Sequence, residues 1–225
     1  MTAAIDLKVA KSPRLSDEAK WIARDIFKAA RILGDRGSLS TGGPGPGPFN
    51  AAVRFGADRF VIGGLDTAFV VGFDGVVHEG EPNWFLQEVV EVYAAIFAAK
   101  PEATAAIHTH SPRLTAFAVA HRPLPLHYWA AAKRAGVAEI PLAEWAPRYS
   151  AKPVVDAIAA HPKTPVVLLK NRGLFGWSDK GVVALAELLN ALEETAEITI
   201  WSEILGGAKP LPDGALDVYL AQRRG

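Results

Sequence analysis

The sequence predicts a single α/β domain, and three observations carry that reading. At 225 residues, half of them hydrophobic, the chain can enclose one sizeable core and sits within the range of one domain. Stretches with apolar residues at helical spacing alternate with short runs of β-branched and aromatic residues. No apolar run approaches the roughly 18 residues of a membrane span.

The first helix is expected over 16–33. Ser16-Asp17-Glu18 is a helix start, and Ile22, Ile26, Ala29, Ala30 and Leu33 recur on one face until Gly34. Residues 34–50 are dominated by Gly, Pro and Ser, which rules out a regular element and leaves a lid, a loop ordered by a neighbour or ligand, or a solvated surface loop. Short β-rich runs at 52–55, 59–62 and 68–73, then Asp74-Gly75 before Val76-Val77, predict an antiparallel meander over 51–79. Helical spacing returns over 83–99, with Phe85, Val89, Val92 and Ile96 on a stripe that Val90, Tyr93 and Phe97 widen, so this helix is expected to be mostly buried. Glu88 falls at the edge of that arc and can face an interior site, whereas Glu91 points toward solvent.

Ile107-His108-Thr109-His110-Ser111-Pro112 reads as the end of a buried strand running into a helix. Side chains at i and i+2 of a strand share a face, so the two imidazoles stand together, with Ser111 suited to cap the helix and Pro112 to its first position. Such a pair is half of a metal site or part of a proton-transfer site; the alternative is two polar residues facing water. Beyond it come the segment 121–129, a short Ala-rich helix ending near Gly136, and a strand at 137–141. The segment 144–149 follows, and a helix opens at Ser150 and runs to about His161. Pro165-Val166-Val167-Leu168-Leu169 is apolar enough for a strand buried on both faces, and Asn171-Arg172-Gly173 turns it into Leu174-Phe175-Gly176-Trp177. Ser178-Asp179 is expected to cap a long helix to about Leu205, and 211–225 has room for one short helix. His78, His121 and His161 read as surface residues.

Lys plus Arg equals Asp plus Glu at 24 each, so no global field recruits nucleic acid or an anionic membrane. The expected partner is a small molecule or another protein. The absence of cysteine excludes disulfides, thiolate nucleophiles and Cys-bound metal. Residues 1–15 lack a signal-peptide core, and the expected location is the cytoplasm.

The order of motifs resembles the class II aldolase/adducin family. The resemblance rests on Lys100-Pro101-Glu102-Ala103-Thr104-Ala105-Ala106-Ile107-His108-Thr109-His110-Ser111-Pro112, on Pro125-Leu126-His127-Tyr128 and on Leu168-Leu169-Lys170-Asn171-Arg172-Gly173 followed by the long helix. These are similar to the family's R-P-D-x-x-A-V-V-H-T-H-S-P, P-x-x-H-Y and L-L-x-N-H-G. The resemblance spans about 16–205, with 206–225 as an extension. It implies a three-layer α/β/α sandwich with a largely antiparallel central sheet, a homotetramer with active sites between subunits, and a divalent metal, commonly zinc. The metal would be held by His108, His110 and the His of N-H-G, with a Glu in the preceding helix as general base.

This chain departs from that pattern. Arg172 replaces the third imidazole, and a guanidinium has no lone pair to offer a metal. The family's Glu falls on Val89, one residue from Glu88, and the family's glycine-rich phosphate stretch is only distantly echoed by 34–40, which contains Ser38. Either Glu88 or His127 would have to complete a metal site. Otherwise Arg172 takes over the cation's role toward a carboxylate or enolate, leaving His108 or His110 to move protons. The expected function is a lyase acting beside a carbonyl, aldolase or decarboxylase in type, on a substrate that need not carry phosphate. Its catalytic residues are His108, His110, Tyr128 and Glu88, its substrate contacts Arg172, Ser38 and Asn171, and its metal ligands, where a metal is used, His108 and His110. The alternatives are an Fe(II)-dependent oxygenase or decarboxylase of an aromatic acid, and a non-catalytic scaffold with a vestigial site; Trp84, Trp145, Arg148 and Tyr149 either line an aromatic substrate pocket or pack a subunit interface.

Overall fold

Ser16 starts the first helix by supplying an acceptor that the exposed N–H groups of a first turn lack: its Oγ takes the Ala19 N–H at 3.3 Å. The computed structural model describes residues 9–12, 14–39, 49–147 and 150–222, so the centre of the Gly/Pro stretch, Arg148 and Tyr149 lie outside the described residues. Helix α1 runs Asp17–Asp35, with Asp17 and Glu18 placed where the helix dipole favours acids. Its Ala19, Ile26, Ala29 and Leu33 are buried. A short strand the sequence reading missed, β1 (Val9–Ser12), precedes it.

The meander forms as β2 (Phe49–Arg54), β3 (Arg59–Gly63), β4 (Ala68–Gly72) and β5 (Val77–Glu79). Asp74-Gly75 makes the last turn, where Gly75 takes φ 80° and Asp74 Oδ1 accepts the Val76 N–H at 3.0 Å. The helix expected over 83–99 is two pieces, α2 (Trp84–Gln87) and α3 (Val90–Ala99), separated at Glu88-Val89. There the Val89 N–H bonds back to Leu86, a tighter i→i−3 turn beside the β-branched pair Val89-Val90. Both pieces keep their apolar face inward, so periodicity alone could not reveal the break.

Next come β6 (Ala105–Thr109), α4 (Pro112–Val119), β7 (Leu124–Pro125) and α5 (Trp129–Ala135), which Gly136 closes at φ 72°. The strand expected over 137–141 is cut by Pro141, which has no N–H for a ladder. Its first part, β8 (Glu139–Ile140), pairs with β7 in a separate ribbon, and β9 (Leu142–Ala143) joins the main sheet. Helix α6 (Lys152–Ala160) starts two residues beyond Ser150, with Ala151 as its cap residue and no side-chain cap. Strands β10 (Val166–Leu169) and β11 (Leu174–Ser178) form the expected hairpin. Helix α7 (Gly181–Ile204) follows, with Lys180 rather than Ser178 or Asp179 as its cap residue; the Ser178 hydroxyl accepts the Lys180 N–H at 3.0 Å just ahead of it. Helix α8 (Ala215–Gln222) ends the described chain.

The nine-stranded sheet has the order β1-β5-β4-β3-β2-β6-β11-β10-β9. Only the outermost pairs, β1 with β5 and β9 with β10, are parallel. Ile107, Leu168 and Leu174 pack one face against α1, α4 and α7; Ala106, Val167 and Phe175 pack the other against α3 and α6. This is the three-layer sandwich with a largely antiparallel sheet that the resemblance implied. Among the described residues, no helix is long and apolar enough to cross a membrane.

Candidate active site

Strand β6 lies at the middle of the sheet, between β2 and β11, and its register places His108 opposite Asn50 and Phe175. Alternation sends Ile107 and Thr109 toward α7 and His108 toward the α3 layer. His108 is 2% exposed, and its ring stacks on Phe175 at 4.4 Å and 27°. Its Nδ1 lies 2.8 Å from the Leu174 carbonyl, which can only accept, so the neutral ring carries its proton on Nδ1 and its lone pair on Nε2. His110 lies one residue beyond the strand, with the two ring centroids 5.0 Å apart and the planes perpendicular. The pair is assembled as its spacing suggested.

The Asn171-Arg172-Gly173 turn presses against this pair. A Cβ on Gly173 would sit 2.1 Å from the Thr109 carbonyl oxygen and 2.3 Å from His110 Cδ2, so only glycine permits the approach. Asn171 holds a left-handed φ of 55°, its N–H donating to the Ala118 carbonyl at 3.2 Å and its Oδ1 lying 3.2 Å from His121 Nε2. Arg172 is half-buried and donates from Nη1 to the Ala146 carbonyl at 3.0 Å. Non-glycine residues held in this backbone region are costly and collect at functional sites.

Two site residues escaped the sequence reading. Asn50, assigned to the tail of the Gly/Pro loop, is the second residue of β2 and is fully buried opposite His108. The Tyr93 hydroxyl lies 2.6 Å from Asn50 Oδ1 and 2.8 Å from its carbonyl, while Asn50 Nδ2 has no hydrogen-bond partner among the described residues. A buried amide donor left unspent is costly, and this one stands on the strand beside His108. The second is Glu193 on α7. Its carboxylate, not the Ser111 hydroxyl, caps α4: it accepts the Arg113 N–H at 2.8 Å and the Leu114 N–H at 2.9 Å. Ser111 Oγ is buried with no hydrogen-bond partner among the described residues, and those two amides are already taken. Burial pushes the Glu193 carboxyl above its ordinary range, against the pull of the two backbone amides and of Arg113.

The remaining expected site residues are more dispersed. Glu88 sits at the break ahead of α3, in the layer His108 faces, half-buried beside the fully buried Val89. Ser38 is buried in the opposite layer, donating its hydroxyl to Asn190 Oδ1 of α7. Tyr128 stands just ahead of α5 and is 42% exposed, its carbonyl accepting from Ala131 and Ala132. Trp145, 58% exposed, lines with Glu144, Ala146, Lys152 and His161 a cleft of about 510 Å³ beside α6. Ala146 links that cleft to Arg172. The Trp84 side chain, with Arg148 and Tyr149, lies outside the described residues. His127 Nδ1 is buried without a hydrogen-bond partner among the described residues, and His127 lines a different cleft together with Pro210 and Leu216.

A divalent metal asks for three protein donors and an open position. Among the described residues no three His, Cys, Asp or Glu side chains gather as a metal site, and the side chain at the third position is a guanidinium. The residues present do not fit a three-ligand centre.

The fold and the paired imidazoles at its central strand end define a protein of the aldolase II architecture. Residues 65–200 match the model of the class II aldolase and adducin N-terminal domain, and the chain belongs to that family. Among solved structures it is similar to an L-fuculose 1-phosphate aldolase, with a TM-score of 0.76 at 18% identity over 94% of this chain and 99% of that one. It is also similar to YgbL of Klebsiella pneumoniae, a putative aldolase/epimerase/decarboxylase (TM-score 0.72, 16% identity, 89% of this chain and 98% of that one). A sugar-phosphate aldolase from Thermotoga maritima aligns with a TM-score of 0.64 at 16% identity over 84% and 97%. No curated protein matches the chain.

Proposed function

We propose that the chain is a lyase of the aldolase or decarboxylase type, working beside a carbonyl on a small carboxylate substrate that need not carry phosphate. The single observation that carries this is the Arg172 turn seated on the His pair through Gly173. A guanidinium at the position of a third imidazole offers a planar, bidentate fork to a carboxylate or an enolate. In a retro-aldol step, one imidazole takes the hydroxyl proton, the C–C bond breaks, and its electron pair passes to the enolate held by Arg172. The Asn50 amide supplies a second donor for the developing oxyanion. His108 suits the base role, because the bond to Leu174 keeps its lone pair on Nε2. Protonation of the enolate carbon then completes the reaction. Tyr128, exposed on its own subunit, is suited to supply that proton to a neighbouring copy in a homotetramer. In this reading Glu88 serves as a second base, Asn171 orients the turn, and the cytoplasm is the place of action.

A metal on His108 and His110 would be the second reading, with zinc for aldol chemistry or Fe(II) for an oxygenase. It is favoured by the carbonyl bond at His108 Nδ1, the manner in which ligating imidazoles are held. Oxalate, a planar mimic of an enolate, separates the two. The Arg-based site binds it in the presence of a chelator and loses it in Arg172→Met; a metal-based site binds it only when the ion is supplied.

A further inference from the structure

Helix α4 reaches one half of the site at each of its two ends. It begins two residues after His110. At its far end the Ala118 carbonyl accepts the Asn171 N–H, and His121, itself at a left-handed φ of 53°, meets Asn171 Oδ1. The position of α4 along its axis therefore sets how the Arg172 turn lies against the His pair.

What fixes that position is a carboxylate from another helix. Glu193 reaches from α7 to the start of α4 and accepts the Arg113 and Leu114 N–H groups, and Arg113 Nη1 lies 3.6 Å from the same carboxylate. A buried acid costs free energy unless its oxygens are well used. Here both are, at the two amides a local cap would have served. Ser111 occupies the cap position and leaves those amides alone, its hydroxyl buried without a hydrogen-bond partner among the described residues. Glu197, half-exposed one turn on, reaches the Arg113 side chain at 3.4 Å.

We infer that Glu193 is a positioning residue for the active site: by clamping the start of α4 to α7 it sets the His110 ring and, through the Ala118 and His121 contacts, the Arg172 turn. This rests on the reading of His108, His110 and Arg172 as the active site, but its test reads ring geometry directly and does not need a turnover assay. Glu193 never meets the substrate; it acts through the backbone of Arg113 and Leu114.

The test compares E193Q with E197Q in the full chain, following the ring resonances of His108 and His110 by NMR at one fixed pH, and oxalate affinity by calorimetry. Gln offers one acceptor where Glu offers two, so one amide loses its partner. The expected result is that E193Q moves the His110 resonances and weakens oxalate about tenfold, the scale of losing an outer support, while E197Q changes neither. Unmoved His110 resonances in E193Q overturn the inference. Should wild-type protein fail to bind oxalate, the anion reading of Arg172 fails, and the His110 resonances still decide the role of Glu193. The double variant S111D/E193A supplies a local cap to the same amides and decides the question where E193Q does not fold. Measured against S111D alone, resonances that stay displaced with the cap rebuilt sustain the clamp to α7, and resonances that the local cap restores overturn it.

Discussion

Replacing Gly173 by alanine strikes the contact that joins the two halves of the site. The new Cβ would stand 2.1 Å from the Thr109 carbonyl oxygen, where ordinary contact begins at 3.4 Å, so the turn or the end of β6 must move by about 1.3 Å. The obstacle is backbone, and Thr109 pairs with both Phe49 and Leu174 at the middle of the sheet, so the turn has to give. Overpacking of this kind costs about 1–3 kcal/mol. For a chain of this length about 2 kcal/mol corresponds to a Tm lower by roughly 4–8 °C. Calorimetry measures it, and the His110 ring resonance reports the local shift. A G173A protein with wild-type Tm and an unmoved His110 resonance would refute the claim that the Arg172 turn is packed on the His pair.

Further substitutions probe the same frame. Tyr93→Phe removes the hydroxyl that holds Asn50 and should cost about 1 kcal/mol in urea denaturation, the usual net value of a hydrogen bond. Arg172→His would complete three imidazoles and is expected to tighten zinc binding, read by competition with a chromophoric chelator; unchanged affinity would mean that position 172 does not face the pair. Glu193 gives a pH dependence of definite sign. Its folded-state pKa is raised above the ordinary value of 4.5, so the folded chain binds more protons, and this group's contribution to stability falls as pH climbs from 4.5 through the raised value. Chemical denaturation across that window should show a shallower decline in E193Q, and an identical slope would contradict the assignment.

Much of the architecture was legible because it depends on local pattern. Apolar spacing fixed α1, the meander, the β10/β11 hairpin and α7, and Asp74-Gly75 marked its turn through the left-handed glycine such turns need. The His pair was legible because the two-residue period of a strand places i and i+2 on one face. What stayed hidden is non-local. Glu193 lies 80 residues from Arg113 in sequence, and nothing in a helix stripe distinguishes an acid that will cap a distant helix from one that faces water. Asn50 carries its meaning only through the register of β2 on β6, which a Gly/Pro-rich approach obscures. Ser111 misled for the same reason, since it has the residue type and position of a cap, but Glu193 had already satisfied the amides. The break at Glu88-Val89 left the buried face intact, so the hydrophobic pattern carried no trace of it.

The central claim is that a guanidinium, in place of a third imidazole, holds the anionic group beside His108 and His110. Its most direct test is calorimetric titration of chelator-treated protein with oxalate, repeated after adding zinc. The account predicts binding of the same strength in both; binding that appears only with zinc would contradict it.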